Sequence, residues 1–244
     1  MRVPRIFHPE PLLEHQLIEL SDDAANHVGR VLRLEEQHPL VLFCGDGYNY
    51  DAQIQQLQKK KVIVQIGVKQ SNTAVESPLS IHLGQVISRG DKMDFTLQKS
   101  VELGVNEITP LFSKRCGVKL NAERLEKKQI QWQKIVISAC EQCGRSIVPK
   151  VNAVMPLEQW IEQATLEMKL NLHPLAPYTI KSMPKPEHGI RLLIGPEGGL
   201  SAEEISQCSL HDFSEIQLGP RILRTETAAL TAITALQCQF GDLA

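Results

Sequence analysis

Hydrophobic and polar residues alternate in the first part of the chain. In residues 61–68 (KVIVQIGV), apolar side chains occupy every even position, which is the pattern of a strand with one buried face. The stretch 44–47 (CGDG), between two short apolar runs, predicts a hairpin turn. Ser21 is a candidate N-cap for one short helix. These patterns predict a small β-rich barrel with one helix over residues 1–70.

The pattern changes after a polar stretch. Residues 71–78 (SNTAVESP) lack periodicity and end in proline, which predicts a linker. Over residues 79–244, strand-like and helix-like segments alternate, which is typical of an α/β fold with a mainly parallel sheet covered on both faces. We expect strands at 79–87, 108–112, 166–172, 191–194 and 215–218, and helices at 91–103, 122–143 and 225–240.

Composition excludes few functions. The 244-residue chain is 42% hydrophobic and 22% charged, with a formal net charge of −2, which are ordinary values for a globular protein. They neither indicate nor exclude a nucleic-acid partner, because only a local basic face is needed for one. No apolar run approaches the length of a transmembrane helix, and the start of the chain lacks the apolar stretch of a secretory signal. We therefore expect a cytoplasmic protein without a membrane partner.

The six cysteines are scattered, apart from the pair Cys140 and Cys143. A structural zinc site usually needs two such pairs, and the sequence contains neither a second pair nor an H-E-x-x-H motif. We interpret both thiols as ordinary helix residues and expect no metal cofactor.

The most informative segment is residues 191–204 (RLLIGPEGGLSAEE). A short apolar strand enters a glycine-rich turn, and a helix then begins at Ser201 and Glu204, which are spaced as a capping box. Ligands of parallel α/β sheets bind beyond the carboxyl ends of the strands, where this turn would lie. The turn contains Glu197 and no lysine or arginine, so a cationic cofactor without phosphate would suit it better than an anionic one. A tight connection with a surface glutamate is an equally good interpretation of the turn alone.

A second segment, residues 218–229 (LGPRILRTETAA), repeats the order of strand, Gly-Pro turn and helix. In either interpretation, the apolar face of this helix packs into the core. That role does not account for Arg221, Arg224 and Glu226, which crowd the start of the helix.

Five segments together resemble the RsmE family of 16S ribosomal RNA (uracil-N3) methyltransferases, within the SPOUT class. The resemblance spans nearly the whole chain and lies in residues 27–33 (HVGRVLR), 88–92 (SRGDK) with 97–105 (LQKSVELGV), 141–145 (EQCGR), 191–204 and 218–229.

The resemblance implies a PUA-like RNA-binding barrel followed by a SPOUT domain, whose C-terminal segment forms a trefoil knot, a rare exception to the usual topology rules. It also implies a homodimer, S-adenosylmethionine as cofactor, and 16S ribosomal RNA in the 30S subunit as substrate. The residues that it assigns to cofactor binding are Leu172, His173, Gly195, Pro196, Glu197, Gly198, Gly199, Leu218, Gly219, Leu223, Arg224 and Thr225.

Methyl transfer to N3 of uracil requires loss of the N3 proton. A carboxylate could accept this proton, and a guanidinium near the uracil carbonyls could stabilise the developing charge. Arg224 is the candidate for the second role, and Glu197 or Glu226 for the first; the sequence does not rank the two. Each carboxylate could also serve only to favour a helix dipole.

N3 lies on the pairing edge of the base, so the uridine must be unpaired or extruded. Candidate phosphate contacts are Arg2, Arg5, Arg30, Arg33, Lys114, Arg115 and Arg145. Arg30 and Arg33 are three residues apart, which would place them on one face of the predicted short helix. For each of these residues a solvated surface charge is the simpler alternative.

Two other functions compete with the methyltransferase. One is a non-enzymatic RNA-binding or ribosome-assembly factor on the same fold, against which the intact glycine-rich turns count. The other is a nucleotide-dependent α/β enzyme, which the missing phosphate-binding loop and Glu197 disfavour.

Overall fold

The structure is a computed structural model that describes residues 3–58 and 61–243. Its contacts divide the chain into two units. The N-terminal unit contains the residues up to Glu76 together with Cys140–Val148, and the C-terminal unit contains Ser77–Ala139 and the residues from Pro149 onward. The segment Cys140–Val148 was not assigned to the first unit from the sequence.

A five-stranded sheet forms the N-terminal unit. Its strands are β1 (Arg5–Phe7), β2 (Leu17–Glu19), β3 (Pro39–Phe43), β4 (Tyr48–Gln58) and β5 (Lys61–Ser71). Their order in the sheet is β1-β3-β4-β5-β2, and the long pair β4–β5 is antiparallel. The alternating residues Val62, Val64 and Ile66 are buried in the core of this unit, as the sequence pattern predicts.

The predicted hairpin turn and short helix are confirmed. Gly45 and Gly47 have positive φ angles of 92° and 83°, which favour glycine in the turn between β3 and β4. The helix α1 (Asp22–Asn26) is capped by Ser21, whose hydroxyl accepts the N–H of Ala24. A single π-helical turn, His27–Val31, follows α1 directly.

An eight-stranded, fully parallel sheet forms the C-terminal unit. Its strands are β6 (Ile81–Val86), β7 (Glu107–Phe112), β8 (Lys150–Val151), β9 (Met155–Pro156), β10 (Met168–Leu172), β11 (Tyr178–Thr179), β12 (Ile190–Ile194) and β13 (Ser214–Gln217). Their order is β11-β13-β10-β12-β6-β7-β8, and β9 pairs with β7. The mainly parallel sheet predicted from alternating strands and helices is confirmed.

The helices cover both faces of this sheet. They are α2 (Asp91–Glu102), α3 (Ala122–Cys143), α4 (Leu157–Ile161), α5 (Ala202–Leu210) and α6 (Thr225–Phe240). Val86 and Leu193 pack in one core cluster with Trp160 of α4 and Cys208 of α5. Gln85 points to the opposite face of the sheet and bonds to Thr225 of α6, because neighbouring residues of a strand point to opposite faces.

Gly84 allows the close approach of α4 to the sheet. A Cβ atom at this position would lie 2.4 Å from the ring of Trp160, which is fully buried. The sequence did not predict α4, which has only five residues and follows a proline. Within residues 3–58 and 61–243, no helix combines the length and the apolar character needed to cross a membrane.

Candidate active site

Three loops meet at a cavity beyond the carboxyl ends of β10, β12 and β13, which are neighbours in the sheet. The cavity has a volume of about 570 Å³. Eleven of the twelve residues that the sequence assigned to cofactor binding line it, namely Leu172, His173, Gly195, Pro196, Glu197, Gly199, Leu218, Gly219, Leu223, Arg224 and Thr225. The fold therefore brings together segments that are distant in the sequence, at the edge where ligands of parallel sheets bind.

The turn after β12 is fixed by local hydrogen bonds. The N–H of Gly199 donates to the carbonyl of Pro196, and Gly199 has a φ of 66°. The predicted capping box at the start of α5 is present, with Ser201 and Glu204 each accepting the backbone N–H of the other. Glu204 is buried and also accepts the N–H of Lys114, so its carboxylate joins the turn to the segment after β7.

Arg115 holds the same turn from outside the cavity. Its guanidinium donates to the carbonyls of Gly198 and Leu200 at 3.1 and 3.3 Å. Gly198 is the one assigned residue that does not line the cavity. Lys114 forms an ion pair with Glu203 of α5. Lys114 and Arg115 were both predicted to contact RNA; the structure places Arg115 against the glycine-rich turn and Lys114 against the start of α5.

The loop after β13 reaches the first turn through Thr225. Its hydroxyl donates to the carbonyl of Gly195 at 2.7 Å and accepts the side-chain amide of Gln85 at 3.1 Å. Thr225 is only 5% exposed, so these bonds are shielded from water. Gly219, in the same loop, has a φ of 137°, where a side chain is disfavoured.

The charged groups at the cavity include Glu197, Arg221 and Arg224, which the sequence singled out, and Lys92, which it did not. The turn after β12 carries no basic residue, but Lys92, Arg221 and Arg224 line the same cavity. Glu197 lines it as well, whereas Glu226 does not and has a side chain only 15% exposed. Arg224 is exposed and is the N-cap residue of α6.

Sequence reasoning missed Lys92 and Gln85 as parts of the site. Gln85 lies in β6, and Lys92 follows that strand. β6 pairs with β12, so that Gln85 lies opposite Ile194 at the edge of the cavity. The signal that could have found Lys92 is its position at the start of a helix that follows a buried strand.

The lining suits a ligand with an apolar ring and groups of both charges, because Glu197 lies in it together with Lys92, Arg221 and Arg224. Leu172, Ile194, Ile216, Leu218 and Leu223 contribute aliphatic surface, and Glu197 contributes a carboxylate. Within the described part of the chain, no three histidine, cysteine or acidic side chains converge as metal ligands. Cys140 is buried, and burial raises the pKa of its thiol to about 12.

The chain matches two protein families along most of its length. The RNA methyltransferase domain family matches residues 75–237, and the RNA methyltransferase PUA domain family matches residues 20–67. The ribosomal RNA small subunit methyltransferase E of Buchnera aphidicola (subspecies Schizaphis graminum) is 44% identical over 243 residues, which are 99% of this chain and 98% of that protein. The Bacillus subtilis protein of the same name is 30% identical over 93% of this chain and 91% of its own length.

The chain belongs to the ribosomal RNA small subunit methyltransferase E family. The resemblance drawn from the five sequence segments is thereby confirmed.

Two solved structures are similar to this family member over the full length of each chain. A methyltransferase from Legionella pneumophila in complex with S-adenosylmethionine is 47% identical, with a TM-score of 0.96. The ribosomal RNA small subunit methyltransferase E of Neisseria gonorrhoeae, bound to S-adenosylmethionine, is 40% identical, with a TM-score of 0.93. The α/β methyltransferase fold with a PUA-like N-terminal domain is therefore established for the chain.

The basic residues of the N-terminal unit differ in their surroundings. Arg145 is only 4% exposed and forms an ion pair with Glu76 at 2.6 Å, so the predicted contact with RNA is wrong for this side chain. Arg5 donates to Asn49 and Ser146 and lies over the ring of Phe43, which engages its guanidinium within the unit. Arg2 lies outside the described residues.

Arg30 and Arg33 are both exposed, as an RNA contact requires. The helical turn ends at Val31, and Arg33 has a φ of 53° in the left-handed region. The two residues therefore do not share a helix face, and this part of the prediction is wrong.

Proposed function

We propose that this chain transfers the methyl group of S-adenosylmethionine to N3 of a uridine in 16S ribosomal RNA. The observation that supports it best is the convergence of three loops on one cavity in a fold whose near neighbours hold S-adenosylmethionine. The cofactor-binding set proposed here is the one assigned from the sequence, with Gly198 acting through its carbonyl and Arg115.

The residues at the cavity fit this cofactor. The aliphatic side chains and the glycine backbone provide a surface for the adenine ring. The carboxylate of Glu197 suits the ammonium and sulfonium groups of the cofactor, and the basic residues Lys92, Arg221 and Arg224 suit its carboxylate. When bound, S-adenosylmethionine supplies a methyl group on a cationic sulfur, which is already electrophilic. The task of the protein is therefore mainly alignment and management of the N3 proton.

The reaction balances without a metal or an oxidant. A carboxylate, Glu197 or Glu226, accepts the N3 proton, and the electron pair of that N–H bond stays on the uracil. The guanidinium of Arg224 stabilises the charge that spreads onto the uracil carbonyls. The electron pair on N3 then forms the N3–methyl bond as the sulfur–methyl bond breaks. The electron pair of the sulfur–methyl bond remains on the sulfur of the leaving S-adenosylhomocysteine.

The remaining parts of the proposal rest on the resemblance. They are a PUA-like barrel in the N-terminal unit, a trefoil knot in which the C-terminal segment passes through a loop, a homodimer, and action on the assembled 30S subunit in the cytoplasm. The domain limits 1–70 and 79–244, with a linker at 71–78, come instead from the sequence pattern. The contacts within the chain extend the N-terminal unit to Glu76 and add Cys140–Val148 to it.

The decisive experiment incubates the chain with labelled S-adenosylmethionine and with 30S subunits that lack the modification. We expect label at N3 of one uridine in 16S RNA. In the variant Arg224→Ala, we expect a loss of about 100-fold in turnover with the fold intact by circular dichroism. Absence of heat on titration with S-adenosylmethionine would favour a non-enzymatic RNA-binding or ribosome-assembly factor. Heat of binding without methyl transfer to the 30S subunit would reject the proposed substrate.

A further inference from the structure

A lysine at the start of α2 lies between two carboxylates. Nζ of Lys92 is 3.9 Å from Oε1 of Glu197 and 3.8 Å from Oε2 of Glu226. The three residues belong to the first turn of α2, the turn after β12 and the first turn of α6. One ammonium group therefore connects three elements that meet at the candidate active site.

The distances show ion pairs without hydrogen bonds, since an N–H···O bond is close to 2.9 Å. Oε1 of Glu197 accepts the backbone N–H of Arg89 at 3.2 Å instead. Oε2 of Glu226 is buried and has no hydrogen-bond partner among the described residues. Both carboxylates thus keep lone pairs that can accept a proton.

Two carboxylates that share one cation repel each other when the cation is removed. Within residues 3–58 and 61–243, Lys92 is the only cationic side chain within 4.0 Å of either carboxylate. Other charged or titratable side chains that line the same cavity are His173, Arg221 and Arg224. None of these three forms an ion pair with Glu197 or Glu226 in the part of the chain that is described.

We propose that Lys92 is a positioning residue for methyl transfer, whose ammonium holds the carboxylates of Glu197 and Glu226 together beside the cavity so that one of them can take the N3 proton. This inference rests on the proposed function. It adds a positioning residue to the two candidate proton acceptors and explains why two acidic side chains lie together there.

The test compares variants with a closely matched control. Lys99 lies on the same helix, pairs with Glu102, and has a side chain 36% exposed, against 35% for Lys92. We expect Lys92→Met to lower kcat for 30S methylation about 100-fold. Calorimetry should give an affinity for S-adenosylmethionine within about threefold of wild type. Lys92→Arg should restore most of the rate, and Lys99→Met should behave as wild type.

A double-mutant cycle separates positioning from a general structural role. If Lys92 acts through the carboxylates, adding Lys92→Met to the pair Glu197→Gln and Glu226→Gln should cost little further activity. The inference would be overturned if the loss from Lys92→Met multiplied in full with the loss from the two glutamine substitutions. A wild-type rate in Lys92→Met would overturn it as well. Lys92→Gln carries the same test if the methionine variant fails to fold. Absence of methylation by the wild-type chain would reject the proposed function itself, which keeps the two failures distinct.

Discussion

The hydroxyl of Thr225 donates a hydrogen bond to the carbonyl oxygen of Gly195 over 2.7 Å. This bond joins the first residue of α6 to the first residue of the glycine-rich turn, and Gln85 completes it from β6. The two loops that the sequence singled out are therefore one connected structure. Their geometry depends on a buried threonine that could be taken for a simple helix terminus.

Replacement of Thr225 tests this connection. Thr225→Val keeps the shape of the side chain but leaves the Gly195 carbonyl without its donor, which costs about 1–3 kcal/mol for a buried polar group. We expect a lower free energy of unfolding in urea and weaker binding of S-adenosylmethionine by calorimetry. Thr227→Val is the control, because Thr227 is exposed on the same helix. Equal behaviour of the two variants would show that the bond has no role in shaping the cavity.

The role of Arg115 gives a second prediction. Because its guanidinium holds the carbonyls of Gly198 and Leu200, Arg115→Gln should loosen the turn and weaken S-adenosylmethionine binding about tenfold, equal to roughly 1.4 kcal/mol. The salt dependence of RNA binding should stay as in wild type. Calorimetry and RNA titrations at several salt concentrations measure both quantities.

Arg124 supplies the control for this prediction, since it is exposed on α3 and does not line the cavity. Arg124→Gln should leave cofactor affinity unchanged. A flatter salt dependence in Arg115→Gln, with normal cofactor affinity, would return Arg115 to the role of a phosphate contact.

Local patterns allowed much of the fold to be predicted. The bounds of α3 and α6 match the predicted helices 122–143 and 225–240, because both segments carry strong helical periodicity. The two glycine-rich turns were found because glycine, proline and helix caps leave clear local signals. The short α4 was missed, since five residues give no periodicity that stands out from noise.

Properties that depend on neighbours in space were beyond these patterns. The sequence pattern indicates a surface charge at Arg145, but in the structure Arg145 is buried and forms an ion pair with Glu76. Lys92 meets Glu197 only because β6 and β12 are adjacent in the sheet, and periodicity does not determine strand order. Of the three basic side chains that line the cavity, the sequence singled out Arg221 and Arg224 and missed Lys92 for this reason.

Exposed arginines of the N-terminal unit give a third prediction. Arg30 and Arg33 are exposed, and the matching PUA family covers both. The double variant Arg30→Gln, Arg33→Gln should weaken RNA binding and reduce the slope of log K against log salt by about 1.5, if each residue neutralises one phosphate. RNA titrations at several salt concentrations measure this slope. Lys127→Gln, which removes an exposed charge on α3, is the control. An unchanged slope in the double variant would remove both arginines from the RNA interface.

A buried histidine near the amino end of β6 predicts how stability depends on pH. Burial lowers the pKa of His82 below its ordinary value of 6.5, and Arg191 lowers it further, whereas Glu107 and Glu167 raise it. Nε2 of His82 shares a hydrogen bond of 2.8 Å with the hydroxyl of Thr109. The folded chain therefore favours the neutral imidazole at this position.

The sign of the effect follows from proton linkage. Below pH 6.5 the unfolded chain binds a proton at His82 that the folded chain resists, so stability falls as the pH falls from that value toward the folded-state pKa. The loss is at most about 1.4 kcal/mol per pH unit for one proton.

His82→Gln can keep the bond to Thr109 but cannot titrate. Between about pH 7 and about pH 5, its free energy of unfolding in urea should decline less than that of wild type. His188→Gln, at an exposed histidine, should decline as wild type does. Parallel curves for wild type and His82→Gln would show that protonation of His82 does not limit stability in acid.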